Sequence, residues 1–168
     1  MPNPILILAT GGTFDKTYDP VAGTLAFGKT CVPALLQAGR CRKGLARVRT
    51  LMMKDSLEMT AADRRQILAA CRAAKETRIV IIHGTDTLVE TARVLGNELN
   101  KTLAGKTIVL TGAMVPHAVA GSDASFNLGS AIAFAKALPA GVRIAMNGEL
   151  FAWDQAAKNR KLARFETK

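Results

Sequence analysis

Aromatic residues, histidines and long apolar runs are all scarce in this chain of 168 residues. Aromatic residues make up only 5% of the chain, which argues against a base-stacking surface for nucleic acid. Histidine occurs twice without the spacing of metal ligands, so a metal site is not expected. No apolar run is long enough to cross a membrane. The length fits a single globular domain with one sizeable core.

Cysteine is also infrequent, and its pattern indicates the redox state of the compartment in which we expect the protein. The three cysteines form neither pairs nor a C-x-x-C motif: Cys31, Cys41 and Cys71. An odd number of scattered thiols favours reduced cysteines in the cytosol over a disulfide framework. The amino terminus lacks the basic start and the length of a secretory signal. We therefore expect a cytoplasmic protein.

Acidic residues are outnumbered by basic ones, 13 against 23, which gives a net charge of +10. Six of the fifteen residues in 40–54 are Lys or Arg, and residues 158–168 form a second basic cluster. Such clusters can bind phosphate backbones. Without a helix-turn-helix, a zinc finger or stacking aromatics, a solvated basic surface is favoured over a nucleic-acid site.

Several catalytic motifs are absent as well. The chain has neither the G-x-G-x-x-G of a dinucleotide fold nor the G-x-x-x-x-G-K-[ST] of a P-loop. It also has no G-x-S-x-G elbow, which argues against a serine hydrolase of the α/β type. A flavodoxin-like phosphate loop remains an open alternative.

What the chain does contain is a regular alternation of apolar strands and amphipathic helices, in the order β-α-β-α-β-α-β-α-β. The predicted strands are 5–9, 48–53, 79–82, 107–110 and 142–146. Capping boxes predict helices that begin at Thr60 and Thr87, the second with apolar residues as far as Leu99. A third helix carries Leu128, Ile132 and Ala135. This alternation predicts a parallel sheet with helices on both faces.

Two segments show no periodicity. Residues 13–30 are predicted to be an irregular lid, because long irregular segments of compact domains are often functional. The tail from about residue 152 is also predicted to be irregular. Its expected anchors are Trp153, Lys158 and Phe165.

Small hydroxyl and acidic residues follow the predicted strands. They stand in four runs: T-G-G-T at 10–13, K-D-S at 54–56, H-G-T-D at 83–86 and T-G-A-M at 111–114. In open α/β sheets the ligand crevice lies outside the carboxyl ends of the strands. A threonine nucleophile needs an adjacent base, and a lysine made neutral by desolvation suits this role where histidine is scarce. His83, directly after a buried strand, is expected to be structural.

Longer runs around these strand ends resemble the bacterial L-asparaginases, in their short-chain single-domain form. The matching runs are ILATGGTF at 7–14, DSLEMT at 55–60, IIHGTDTLVETA at 81–92, VLTGAMVP at 109–116 and SFNL at 125–128. The resemblance implies a three-layer, doubly wound, mostly parallel sheet of the flavodoxin or Rossmann-like kind. It also implies hydrolysis of L-asparagine through a threonine acyl-enzyme, without cofactor or metal, in a homodimer or homotetramer.

The resemblance implies the catalytic residues one by one. Thr13 matches the nucleophile beside the lid, and Tyr18 matches the tyrosine that polarises it. Thr85 and Asp86 match the second hydroxyl and its acidic neighbour, which also receives the substrate's α-ammonium. Lys158 matches the lysine that completes this second triad.

The same resemblance implies further substrate-binding positions. Ser56 matches the serine that holds the substrate's α-carboxylate, and Gly12 and Ala113 match backbone positions that line the pocket. Leu57 stands where the family commonly has glutamine, so one polar contact is expected to be lost. We therefore expect weak affinity for asparagine and poor glutaminase activity.

Two alternatives remain open from the sequence. The same machinery could release ammonia from another amide, as in the asparaginase-like subunit of transfer-RNA amidotransferases. The chain could instead be a non-catalytic module that binds an amino acid or a nucleic acid. The presence of Thr13, Thr85 and Asp86 together favours an enzyme.

Overall fold

Short aliphatic runs form the central strands, because apolar residues that face both layers of helices are buried on each side of a parallel sheet. The computed structural model of the protein describes residues 4–168. Its strands are β1 (Ile5–Gly11), β2 (Lys16–Asp19), β3 (Thr24–Phe27), β4 (Ala46–Lys54), β5 (Arg78–Ile82), β6 (Thr107–Thr111), β7 (Gly141–Met146), β8 (Glu149–Ala152), β9 (Ala156–Asn159) and β10 (Arg164–Thr167). Its helices are α1 (Val32–Ala38), α2 (Ala61–Ala73), α3 (Leu88–Gly96) and α4 (Ala124–Ala137). Each of the five predicted strands lies inside an observed one.

The central sheet has six strands in the order β4-β1-β5-β6-β7-β8. The first five are parallel, and β8 runs antiparallel to β7 at the edge. β1 lies between β4 and β5, so the chain moves first to one side of β1 and then to the other. Such a reversal opens a crevice at the carboxyl ends of the two diverging strands. The topology therefore places the crevice beside the ends of β1 and β5.

Alternating side chains of β1 divide the core into two layers. Leu6 and Leu8 pack with apolar residues of α2 and α3 on one face of the sheet. Ile5 and Ile7 pack with those of α1 and α4 on the other face. This division confirms the predicted three-layer, doubly wound architecture. Within residues 4–168, no helix is long and apolar enough to cross a membrane.

One of the two predicted capping boxes is present. At the start of α2 the Thr60 side chain accepts from the Asp63 amide, and the Asp63 side chain accepts from the Thr60 amide. Hydrogen bonds from Thr60 and Lys54 lower the pKa of Asp63 to about 2. The box predicted at Thr87 is wrong, because the Thr87 hydroxyl instead donates to the Ser56 carbonyl at 2.7 Å. The predicted extension to Leu99 is also wrong, since α3 ends at Gly96.

The segment 13–30 is not irregular, which corrects the prediction from sequence. It starts with a 3₁₀ turn at Thr13–Asp15 and continues as the antiparallel hairpin β2–β3. Asp19 closes the hairpin by accepting from the amides of Val21 and Ala22. Four-residue strands are too short to show clear periodicity, so the sequence pattern did not reveal them.

The tail is likewise ordered, and the prediction of an irregular segment is wrong there too. After β7 the chain turns at Asn147 and Gly148, with φ of 54° and 86°, into β8 and then into the hairpin β9–β10. The pair Asn-Gly is the most favourable two-residue hairpin turn. Phe165 is fully buried and Trp153 packs against the same core cluster, as expected of anchors.

His83 is a structural residue at the end of β5, as expected. Its side chain is completely buried, and its Nε2 lies 2.8 Å from the Thr91 hydroxyl. Its Nδ1 lies 2.8 Å from the Gly84 carbonyl oxygen. A neutral imidazole satisfies both partners by donating from Nδ1 and accepting at Nε2. Burial lowers the pKa of His83 to about 4. These bonds tie the turn after β5 to helix α3.

The packing of the tail on α3 generates a first prediction. A Cβ atom at Gly96 would collide with the Trp153 ring. We expect Gly96→Ala to displace Trp153 and to lower the free energy of unfolding by about 1–3 kcal/mol. Gly129→Ala in α4 is the control, because a Cβ there meets no atom within 4 Å. Urea denaturation of both variants measures the difference, and equal stabilities would contradict the assigned packing.

The burial of His83 generates a second prediction. The unfolded chain protonates this histidine near pH 6.5, whereas the folded chain does so only near pH 4. The contribution of His83 to the free energy of unfolding is therefore fully present above pH 6.5 and decreases as the pH falls toward 4. Between pH 7 and pH 5 we expect the free energy of unfolding to fall by about 2 kcal/mol.

Urea denaturation at the two pH values measures this loss, and His83→Gln should abolish most of it. An NMR titration of the wild-type imidazole gives a direct second readout. An imidazole that titrates near its ordinary pKa in the folded protein would show that the assignment is wrong.

Candidate active site

Close contact between two glycines brings the ends of β1 and β5 together. Gly12 has a φ of 72°, and a Cβ atom there would collide with the backbone of Gly84. Only glycine combines this backbone conformation with such a close approach. Thr13 and Thr85 each follow one of these glycines directly. The two threonines therefore stand at neighbouring strand ends, at the point where the chain reverses across the sheet.

The hairpin β9–β10 supplies a lysine to the second of these strand ends. Lys158 Nζ donates to Thr85 Oγ1 at 2.7 Å and to Asp86 Oδ1 at 3.0 Å. All three groups are largely shielded from solvent, with 16% of the Lys158 side chain and 26% of the Asp86 side chain exposed. The structure thus brings Lys158 to two adjacent predicted residues, Thr85 and Asp86, which lie 73 and 72 positions earlier in the chain. A hydroxyl, an amine and a carboxylate in this order form a chain for proton transfer.

Asp86 has a second cationic partner. Arg160 Nη1 lies 3.0 Å from Asp86 Oδ1, the same oxygen that Lys158 contacts. The Arg160 side chain is 64% exposed, so this ion pair lies at the mouth of the site. The carboxylate is therefore shared between two cations.

A short 3₁₀ turn after β4, Ser56–Glu58, lies beside the strand end that carries Thr85. The Asp55 side chain accepts from the Leu57 amide and begins this turn. Ser56 is 1% exposed, and its hydroxyl has no hydrogen-bond partner among residues 4–168. A Cβ atom on Gly84 would lie 2.6 Å from Ser56 Oγ, so the turn packs directly against the strand end that carries Thr85. A buried hydroxyl without a partner calls for an explanation, and a bound polar ligand would supply one.

Three hydrogen bonds hold the hairpin β2–β3 and the segment around it at the site. Lys16 in β2 donates to Asp55 Oδ2 at 2.7 Å. This hydrogen bond holds the pKa of the Asp55 carboxyl below its ordinary value, with a smaller contribution from the charge of Lys158. At the base of the segment, Asp15 Oδ1 accepts from Thr30 Oγ1 at 3.0 Å and from the Cys31 amide at 2.9 Å. Both ends of the predicted lid are thus fixed.

Three predicted site residues lie outside the cluster of Thr85, Asp86 and Lys158. Tyr18 lies opposite Leu25 in the hairpin β2–β3 with 64% of its surface exposed. Leu57 is 65% exposed on the 3₁₀ turn. The Ala113 side chain is buried in the core layer beneath α4, and the adjacent Gly112 approaches Thr85. The roles predicted for these residues remain predictions.

The sequence analysis missed Lys16, Asp55 and Arg160 as site residues. The run K-D-S places Asp55 at a strand end, but nothing in this run indicates that Lys16 of the hairpin is its partner. Arg160 had one usable signal, because it stands two residues after the predicted Lys158 in the sequence. The structure places it in the turn that follows β9.

The arrangement places the Lys158 amine beside the Thr85 hydroxyl. It also provides the Asp86 carboxylate and the unpartnered Ser56 hydroxyl as groups that could bind a small polar ligand. Within residues 4–168, no group of three or more His, Cys, Asp or Glu side chains could hold a metal ion. Cys31 and Cys71 are not candidate nucleophiles, since burial raises the pKa of each thiol to about 12. The hydroxyls of Thr13 and Thr85 remain the predicted nucleophiles.

Known proteins match this chain along most of its length. The family model described as "Asparaginase, N-terminal" matches residues 4–166. The glutaminase-asparaginase of Acinetobacter glutaminasificans is 31% identical over 161 residues, which cover 89% of this chain and 48% of that protein. L-asparaginase 1 of Escherichia coli is 30% identical over 162 residues, covering 92% of this chain and 47% of that protein. The chain spans about half the length of these relatives.

A solved structure shows the same fold. The thermostable L-asparaginase from Thermococcus kodakarensis superposes with a TM-score of 0.85 and 28% identity. The match covers 98% of this chain and 51% of that one. With the family model matched along nearly the whole sequence, the chain belongs to the asparaginase family, in the part described as its N-terminal region.

Proposed function

We propose that this protein hydrolyses L-asparagine to L-aspartate and ammonia through an acyl-enzyme formed on a threonine. The observation that carries the proposal is the contact of Lys158 Nζ with both Thr85 Oγ1 and Asp86 Oδ1. Membership of the asparaginase family supports the choice of an amide substrate.

Lys158 would act as the base. It donates to Thr85 Oγ1 at 2.7 Å, and once it has lost a proton the same short contact lets the hydroxyl donate to the amine. Asp86 fixes the lysine from its other side at 3.0 Å. A hydroxyl is a weak nucleophile until a neighbouring base takes its proton, so this contact supports threonine chemistry.

Substrate would be held between the Ser56 turn and the end of β5. The free hydroxyl of Ser56 suits the α-carboxylate, and the Asp86 carboxylate suits the α-ammonium. With these two charges fixed, the side-chain amide of asparagine would extend toward Thr13 and Thr85. The rigid contact between Gly12 and Gly84 supports this placement, because it leaves the two threonines little freedom to move apart.

The reaction would proceed in two steps. A threonine oxygen attacks the amide carbon, backbone amides stabilise the developing oxyanion, and ammonia leaves with a proton relayed from the site. Water then attacks the resulting ester with the same base, and L-aspartate is released. Thr13 and Thr85 are the two candidates for the attacking residue.

The proposal includes a homo-oligomer in the cytoplasm. Exposed apolar residues on and beside α4 support association, with Phe126 59% and Val119 42% exposed. Free thiols at all three cysteines support a reducing compartment. Sedimentation analysis tests the first point, and fractionation of the source cells tests the second.

Variants of the cluster give the principal test. We expect Thr13→Ala and Thr85→Val each to lower kcat for ammonia release by about 1,000-fold or more. The two residues act as parts of a single catalytic unit, so the loss of either one disables the whole unit. Lys158→Met should lower kcat by about 100-fold or more through loss of the base. An ammonia-coupled assay with L-asparagine measures these effects.

Lys161→Met serves as the matched control, since Lys161 is an exposed lysine in the turn between β9 and β10. It should retain wild-type activity, and circular dichroism should show that every variant is folded. A Lys158→Met enzyme with more than half of the wild-type activity would remove this lysine from the mechanism.

Substrate size gives a second test. Between the fixed Ser56 turn and the threonines, the extra methylene of L-glutamine would move its amide carbon away from the attacking oxygen. We expect kcat/KM for L-asparagine to exceed that for L-glutamine by about tenfold or more. Steady-state assays with both amides decide the point, and equal efficiencies would contradict the assigned geometry.

A further inference from the structure

Two cations share a single oxygen of Asp86. Lys158 Nζ and Arg160 Nη1 both lie 3.0 Å from Oδ1. Lys158 lies in β9, and Arg160 is the first residue of the turn that follows this strand. The intervening Asn159 instead donates to Glu166. Lys158 is accounted for by the proposed mechanism, whereas Arg160 is not.

The surroundings of Asp86 add to this positive charge. Beside it lies a cleft of about 220 Å³ lined by four cationic and two anionic side chains: Arg93, Lys158, Arg160, Lys168, Asp86 and Glu90. Glu90 is already paired with Arg64 at 2.7 Å. A further cation brought to Asp86 therefore enters a region in which positive charge is in excess.

We propose that Arg160 is a specificity-determining residue that offsets the attraction of Asp86 for a substrate ammonium and favours β-amides that lack one. This inference rests on the proposed function. The simplest such substrate is succinamate, which has the carboxylate and the amide of asparagine without its amino group. Its hydrolysis gives succinate and ammonia, with water supplying the oxygen and hydrogen.

The expected effect is moderate, because Arg160 is 64% exposed and solvent screens its charge. Removing the guanidinium should raise kcat/KM for L-asparagine by about 3- to 10-fold at low salt, as expected for one partly screened unit charge a few ångströms away. The change should reside in KM, since Arg160 does not contact the threonines. It should shrink at high ionic strength.

The test compares Arg160→Gln, Arg160→Lys and Arg164→Gln with the wild type on L-asparagine and succinamate. Arg164 is the matched control, because it lies on the same hairpin and pairs with Glu166 rather than with Asp86. In Arg160→Gln, KM should fall for L-asparagine only, so that the ratio of the two kcat/KM values shifts by threefold or more. Arg160→Lys and Arg164→Gln should keep the wild-type ratio.

A ratio within twofold of wild type in Arg160→Gln would overturn the inference while leaving the proposed function intact. A parallel loss or gain on both substrates would also overturn it, since that pattern indicates a structural role. No ammonia from either amide with the wild type would instead be a failure of the proposed function.

Binding of the two products tests Arg160 without turnover. Titration calorimetry with L-aspartate and succinate should show that Arg160→Gln binds L-aspartate about 3- to 10-fold more tightly, with succinate binding unimproved. Equal changes for both acids, or no binding of either acid to either protein, would overturn the proposal.

Discussion

The contact between Lys158 and the end of β5 is the interaction on which the site depends. It spans 73 residues and joins the last hairpin to the third strand of the parallel sheet. The lysine can reach Thr85 only because Phe165 and Ala156 bury the hairpin in the core and Trp153 packs over Gly96. The contacts among Thr85, Lys158 and Asp86 therefore form only when the tail is packed against the core. A loosely attached tail would leave Thr85 without its contact to Lys158.

Charge around this contact is arranged unevenly. Lys16 satisfies Asp55 on one side of the crevice, and Lys158 and Arg160 share Asp86 on the other. Excess basic charge, evident in the composition, is thus present at the site itself and is not confined to distant surface. It follows that the site should discriminate between substrates by their charge as well as by their size.

The sequence predicted the five parallel strands of the sheet but not its edge strand β8, and it predicted three residues that the structure brings into contact, for physical reasons. Buried parallel strands are continuous apolar runs, so β1 and β5 were recognisable along with the threonines after them. The short strands β9 and β10 follow no such pattern, because each contributes a single buried residue, Ala156 or Phe165, to the core cluster. Contacts between distant polar groups, such as Lys16 with Asp55 or Thr87 with the Ser56 carbonyl, depend on tertiary structure that local pattern does not encode.

The most direct test of the account is to trap the covalent intermediate. Wild-type protein mixed with excess L-asparagine would be quenched in acid and digested, and the peptides analysed by mass spectrometry for an aspartyl ester. We expect an ester on the peptide that contains Thr13 or Thr85, and we expect Lys158→Met to lack it. Ammonia release with no ester on either peptide, or with an ester on another residue, would contradict this expectation.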